Sequence, residues 1–235
     1  MSDPLVRVQH LVKQYQALRP LRVQLLTLAP GAIVSVMGLD ASAAEMFVGL
    51  LTGAVLPDEG DVHLFGRSTR DVSDSDAWLQ LLDGVGIVTD RAVLIAQFSV
   101  EQNIGIPFTL QVDPLAADTR ARVAALAAEV GIAPGDLSRP VGQSAPEVVA
   151  RVRLARALAL DPRVLLVEHP SATLPGGTVK PFAADLARVA RGRSLAILAI
   201  TADDAFAKAL GGDVLTHEPA TGALKPRSGW RKIFG

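Results

Sequence analysis

Cysteine is absent from the 235-residue chain. That excludes a disulfide framework and a thiolate metal site, and is compatible with the cytoplasm. Charge of one sign is not in excess either. Lys and Arg number 23 against 24 Asp and Glu, a net charge of −1, so no broad basic field is present to attract nucleic acid. Long uncharged runs are missing too. The longest, residues 23–39, is broken by Pro30-Gly31 and reads as two strands rather than a membrane span. The start, Met1-Ser2-Asp3-Pro4, lacks the basic segment and apolar run of a signal peptide. No internal repeat and no low-complexity segment stands out. Apolar content is what the chain has in plenty: 49% of residues, with a mean hydropathy of +0.33. Part of this is alanine, and the rest leaves room for a surface that a partner buries. The length suffices for one large domain or a core with a subdomain.

Taken in order, residues 5–9 alternate like an edge strand and residues 22–28 like another. Tyr15, the only tyrosine, lies between them. An apolar run over 32–37 predicts a strand, and residues 46–51 carry a helical pattern. A turn at 56–60 leads to a strand over 61–65 that Gly66 closes. The polar stretch Ser73-Asp74-Ser75-Asp76 predicts the cap of a helix containing Trp78 and Leu81. Residues 85–89 read as a buried strand. Helices are expected over 99–106, 116–130, 147–160, 181–189 and 203–210, with core strands at 164–167 and 194–200. Strands alternating with helices around a phosphate-type turn imply an α/β sheet. The predicted organisation is a single domain over 1–235, with a core at 1–94 and 161–235 and a helical subdomain at 95–160.

The stretch Gly38-Leu39-Asp40-Ala41-Ser42-Ala43-Ala44-Glu45 sits where a strand turns into a helix, the place where P-loop proteins hold phosphates. Read against G-x-x-x-x-G-K-[ST] from Gly38, the second glycine is Ala43, the lysine is Ala44 and the hydroxyl residue is Glu45. A P-loop works because backbone amides and a helix N-terminus face the phosphates while Lys supplies charge and Ser/Thr grips magnesium. Ala44 removes that charge, Glu45 adds a negative one at the magnesium position, and Asp40 adds another. A unit-charge pair at about 4 Å is worth roughly 4 kcal/mol at an effective dielectric near 20. Losing one attraction and gaining repulsion therefore costs several kcal/mol, or roughly three decades of affinity. Triphosphate binding in the usual pose is expected to be poor. Ser42 and Glu45 have the S-x-x-E spacing of a capping box, so Ser42 is expected to cap the helix with Glu45 reaching back. The alternative is that both are surface residues without a role.

On these residues the chain resembles the nucleotide-binding subunit of ATP-binding-cassette transporters over nearly its whole length. The best-preserved piece runs from Arg151 through Arg153, Arg156 and Leu160 to Asp161-Pro162, similar to the segment between the family's signature and its Walker B strand. Leu56-Pro57-Asp58-Glu59-Gly60 with Gly66, and Ser99-Val100-Glu101-Gln102-Asn103-Ile104, match further landmarks. The resemblance implies a P-loop NTPase (RecA-like) α/β core, an antiparallel β layer near the N-terminus and an inserted helical lobe.

The resemblance also assigns positions. Tyr15 matches the aromatic that stacks on adenine, and reads equally well as a partly exposed strand-end tyrosine. Asp90 stands at the Q-loop glutamine. Ser144-Ala145-Pro146-Glu147-Val148 stands at the L-S-G-G-Q signature, where Pro146 has no amide hydrogen and Glu147 adds a carboxylate. As plain structure, the same residues make a good helix start. Walker B reads Val164-Leu165-Leu166-Val167-Glu168-His169-Pro170. Glu168 and Asp90 are the magnesium candidates, and His169 takes the place of the catalytic carboxylate. An imidazole can serve as general base near neutral pH, though a lone histidine at a strand end is more often simply hydrogen-bonded. Leu174 replaces the D-loop aspartate, and Ala202 falls at the switch histidine.

With lysine, base, signature and switch all changed, the expectation is a pseudo-ATPase needing no cofactor. It would serve a membrane permease subunit and form a homodimer or a heterodimer with another cassette subunit, at the inner face of the cell membrane. Val93, Leu94, Ile95 and Phe98 are expected to line the permease groove, or else to pack within the lobe. The alternative is an atypical ATPase using ATP and magnesium through Glu168, Asp90 and Glu45 with His169 as base. A third is a soluble regulator unconnected to a transporter. Asn103-Ile104-Gly105-Ile106-Pro107 looks most like the small single-cassette subunits of lipid and lipoprotein export systems.

Overall fold

The computed structural model describes residues 3–72 and 74–227. Met1 and Ser2 of the leader reading, and Ser73 of the capping stretch, lie outside the described residues. Two sheets organise the chain. The smaller is antiparallel, built from β1 (Val6–Lys13), β2 (Leu21–Leu28), β4 (Glu59–Leu64) and β5 (Arg67–Ser68) in the order β2-β1-β4-β5. The larger has six strands in the order β10-β9-β3-β8-β7-β6. These are β3 (Ile33–Met37), β6 (Val85–Val88), β7 (Val164–Glu168), β8 (Ala196–Ile200), β9 (Asp213–Glu218) and β10 (Ala223–Pro226). All neighbours are parallel except the β9–β10 hairpin.

Every residue of β7 and β8 is buried, as a parallel sheet covered on both faces requires. On one face, Val164, Leu166, Ala196 and Leu198 join the helix α1 (Ala41–Leu51) and the inner face of the antiparallel sheet in a single apolar cluster. Phe47 is fully buried at its centre, worth about 1.5–3 kcal/mol. On the other face, Leu165, Val167, Ile197 and Ala199 pack against the helical half of the chain. That half contains α3 (Val100–Gly105), α4 (Ala117–Glu129), α5 (Pro146–Leu158), α6 (Gly176–Arg193) and α7 (Asp204–Leu210), while the short α2 (Ser75–Leu82) precedes β6. Asp74 caps α2 by accepting the Ala77 N–H at 2.8 Å.

Residues 5–9 are not an edge strand. β1 is interior, between β2 and β4, and runs on to Lys13. The alternation stops because a bulge shifts the register between Gln9 and Val12, with His10 at φ 50°. Gly60 lies opposite, where a Cβ would come within 2.4 Å of the Gln9 carbonyl oxygen. The helix expected over 181–189 begins five residues earlier, at Gly176, and carries Pro181 inside it. The β9–β10 hairpin was not anticipated at all.

Candidate functional site

Parallel register brings the carboxyl ends of β3, β8 and β7 side by side: Val36 pairs Ile200, and Ile200 pairs Glu168. Ligands of open α/β sheets bind beyond such ends. From Met37 the chain turns at Gly38, whose φ of +93° disfavours any side chain and whose Cβ would lie 3.1 Å from the His217 carbonyl oxygen. Asp40, still extended, is the N-cap of α1. Its carboxylate accepts the Ala43 N–H at 2.8 Å, and its carbonyl accepts the Ala44 N–H at 2.8 Å. Ala43 and Ala44 point into the apolar cluster, and Ala44 is wholly buried.

The expected capping box is therefore corrected. A carboxylate does cap the helix, but it belongs to Asp40, the last residue with extended backbone. Ser42 is already inside the helix and exposed. Glu45 is drawn instead into an ion pair with Arg91. Tyr15 sits half-buried on the β1–β2 connection, packed against the same cluster. Its burial, and then the Asp40 charge, push its phenol above the ordinary value.

Arg91 is the residue that sequence reasoning passed over. From the loop after β6 it reaches both Glu45 and Glu168, the latter at 2.5 Å. The Glu168 side chain is 6% exposed and that of Arg91 40%. The one signal in the sequence was a cation next to Asp90; its meeting with Glu45 and Glu168 comes from the fold. Asp90 itself is exposed and stays out of this group, favouring the charged form of Arg153 by its proximity. Among the described residues no three His, Asp or Glu side chains come together as metal donors.

Two arginines of α5 hold the same loop by its backbone. Arg153 donates to the Asp90 carbonyl at 2.9 Å and Arg156 to the Val93 carbonyl at 2.7 Å. Burial pushes the pKa of both guanidinium groups down. Farther on, the fully buried Asn103 accepts the Ile95 N–H and donates to the Ile95, Phe98 and Ser99 carbonyls. This places the expected groove residues on two sides. Val93 and Ile95 are exposed, while Leu94 and Phe98 pack against the helical core.

An open cleft of about 900 Å³ is lined by Tyr15, Ser42, Glu45, Met46, Ile87 and Arg91, among others. His169 does not line it. With Arg153, Asp90, Glu168, Thr173 and Phe182 it walls a separate cavity of about 10 Å³, room for about one water. The His169 Nε2 and Arg153 Nε are buried without hydrogen-bond partners among the described residues. The Arg91–Glu168 pair runs between the two spaces, since Arg91 lines the large one and Glu168 the small one.

The remaining candidates take structural places. Ser144 donates to the Pro140 carbonyl, Ala145 is the N-cap of α5, and Pro146 and Glu147 form its first turn. Val148 packs against the helical core and Leu174 is buried in it. Ala202 is exposed between β8 and α7, where Asp203 caps the helix by accepting the Ala205 N–H at 2.8 Å.

Comparison with known proteins agrees with this architecture. The ABC transporter profile matches residues 21–172. The chain is 30% identical over 205 residues to the lipoprotein-releasing system ATP-binding protein LolD of Maricaulis maris, covering 86% of this chain and 89% of that protein. It is 27% identical over 210 residues to LolD of Alcanivorax borkumensis, with 88% and 91% covered. To the methionine import ATP-binding protein MetN of Brucella abortus it is 28% identical over 200 residues, covering 85% of this chain and 53% of that one. CbiO1 of Clostridium perfringens, part of the CbiONQ transporter complex, superposes with a TM-score of 0.78 at 18% identity, covering 95% and 87%. The cassette MJ0796 bound to ADP and Pi gives 0.76 at 20%, covering 94% and 97%. The shared fold is an α/β P-loop NTPase core with an antiparallel β layer and helical elements. The chain belongs to the ABC transporter family.

Proposed function

We propose that this cassette is a pseudo-ATPase, a structural or regulatory subunit of a membrane transport complex that does not turn over nucleotide. The observation that carries this reading is the N-terminus of α1. The Asp40 carboxylate takes up the Ala43 N–H, and the wholly buried Ala44 stands where a phosphate-binding lysine belongs. The cation of this site, Arg91, is engaged by Glu45 and Glu168. These residues do not fit a magnesium nucleotide: its phosphates would meet the Asp40 charge, and its metal would compete with a guanidinium that cannot be deprotonated.

The surface around residues 90–103, with Val93 and Ile95 exposed, is the proposed seat of a multi-span permease, at the inner face of the membrane. A second copy or another cassette subunit completes the complex. LolD acts in lipoprotein release and MetN in methionine import, so the relatives leave both directions of transport open.

One observation favours an active alternative. The unpartnered His169 Nε2 borders a space the size of a water, as a general base would. Against it, His169 does not line the cleft that Tyr15 and Ser42 border. Phosphate release by the purified chain with ATP and magnesium decides between them. The expected release is indistinguishable from the protein-free rate and unchanged by His169→Ala. Measurable turnover abolished by that substitution would establish the atypical ATPase instead. Co-isolation from native membranes with a multi-span protein is the expected result for the partner assignment.

A further inference from the structure

We propose that Arg91 is a tethered cation that fixes the helical lobe against the core. This deepens the pseudo-ATPase reading and rests on it only for the claim that no nucleotide takes over the role.

The connection can be followed atom by atom. One guanidinium joins Glu45 on α1 to Glu168 at the end of β7, so the two core elements share a single positive charge. On the other side of the same loop, Arg153 and Arg156 of α5 grip the Asp90 and Val93 carbonyls. The loop between is short and closed on itself. Thr89 Oγ1 accepts the Arg91 N–H at 3.3 Å, and the Thr89 carbonyl accepts the Ala92 N–H at 3.3 Å. Core charge and lobe helix are thus linked through about one turn of backbone.

The Glu168 end of the link is the costly one to release. Glu168 is nearly buried, and a buried carboxylate left without its cation is strongly unfavourable. The two α5 arginines are themselves partly desolvated, while their bonds to the Asp90 and Val93 carbonyls lie at the surface. Glu45, more than half exposed, steers the fork without anchoring it. Lysine would substitute only in part, because an ammonium is a compact charge on a flexible stem without the rigid planar fork of a guanidinium.

The absence of cysteine makes the test direct. Ala125→Cys on α4 and Thr27→Cys on β2, both exposed positions, take spin labels without background, and pulsed dipolar spectroscopy reads the distance between lobe and core. The expected distribution for the wild-type background is narrow and unmoved by magnesium, chelator or magnesium ATP. Arg91→Gln is expected to broaden and shift it, and Arg91→Lys to restore it only in part. Should Arg91→Gln unfold the chain, Arg91→Gln with Glu168→Gln removes the stranded carboxylate, and the same broadening is expected. A distribution in either variant that matches wild type overturns the proposal. A wild-type distribution that moves with magnesium ATP overturns the pseudo-ATPase reading, while the Arg91 variants still decide the role of the link.

Discussion

Arg91 and Glu168 together carry more weight than any motif position taken alone. Breaking their contact leaves a carboxylate that is 6% exposed without a partner. Because Arg91 is itself 40% exposed, solvent screening moderates the effect. Arg91→Ala is expected to cost about 1.5–3 kcal/mol, and Glu45→Gln, at an exposed end, less than about 0.5 kcal/mol. Urea denaturation of both variants checks the ranking, and equal losses would contradict it.

A second residue-scale expectation concerns Asp185. Burial pushes its carboxyl up, but hydrogen bonds from Arg151 at 2.7 Å and from Arg188 outweigh that and hold it below the ordinary range. A carboxyl depressed by folding stabilises above its unfolded pKa, about 3.9. That stabilisation disappears as pH falls through the lower folded value. The advantage of wild type over Asp185→Asn, about 0.5–1 kcal/mol near neutrality, is therefore expected to shrink below about pH 4. Parallel denaturation series across that range measure it, and a pH-independent difference would contradict the assignment.

At the scale of elements, the start of α1 gives the sharpest test. Asp40→Ala removes the cap and is expected to cost about 1 kcal/mol, whereas Ser42→Ala is expected to be near neutral. Thermal denaturation of the pair distinguishes the observed cap from the spacing-based one, and a larger loss from Ser42→Ala would contradict it. The S-x-x-E spacing misled because Asp40 has the extended backbone a cap needs and starts the helix two residues earlier, so that Ser42 already lies inside it. Arg91 escaped notice for a related reason: nothing local in the sequence says that residues 45, 91 and 168 meet, and parallel pairing alone brings β6 beside β7.

Where local pattern is strong, the elements were legible. Buried β7 and β8 read as apolar runs, and α3 opens at Ser99 with a true capping box to Gln102. Long-range context overrode pattern elsewhere. The bulge at His10 hid the second half of β1, Pro181 hid the first turns of α6, and β10 has two half-buried residues followed by two exposed ones, so it shows no alternation. Asn103 illustrates a loop organised from a helix. Asn103→Ala is expected to cost about 2–3 kcal/mol through unpaired backbone groups at Ile95, Phe98 and Ser99. Amide hydrogen exchange should quicken at Ile95 first, and unchanged exchange there would contradict this role.

For the whole molecule, the fold keeps a phosphate-type turn at the carboxyl edge of a parallel sheet while filling it from within. Asp40 faces inward to the helix N-terminus, apolar alanines pack beneath, and one arginine stands between two carboxylates. The lobe reaches this cluster through Arg153 and Arg156, which hold the Asp90 and Val93 carbonyls on either side of Arg91. On the proposed pseudo-ATPase reading, the cassette transmits or braces movement in a larger assembly without consuming fuel at this site. The cleft beside Tyr15 remains open, so binding is decided by charge rather than by space. Titration calorimetry of the purified chain with ATP and magnesium tests that account most directly. The account predicts no saturable heat at nucleotide concentrations up to about 1 mM, where a site worth less than about 4 kcal/mol stays unfilled. Micromolar binding that weakens on Tyr15→Ala would contradict it.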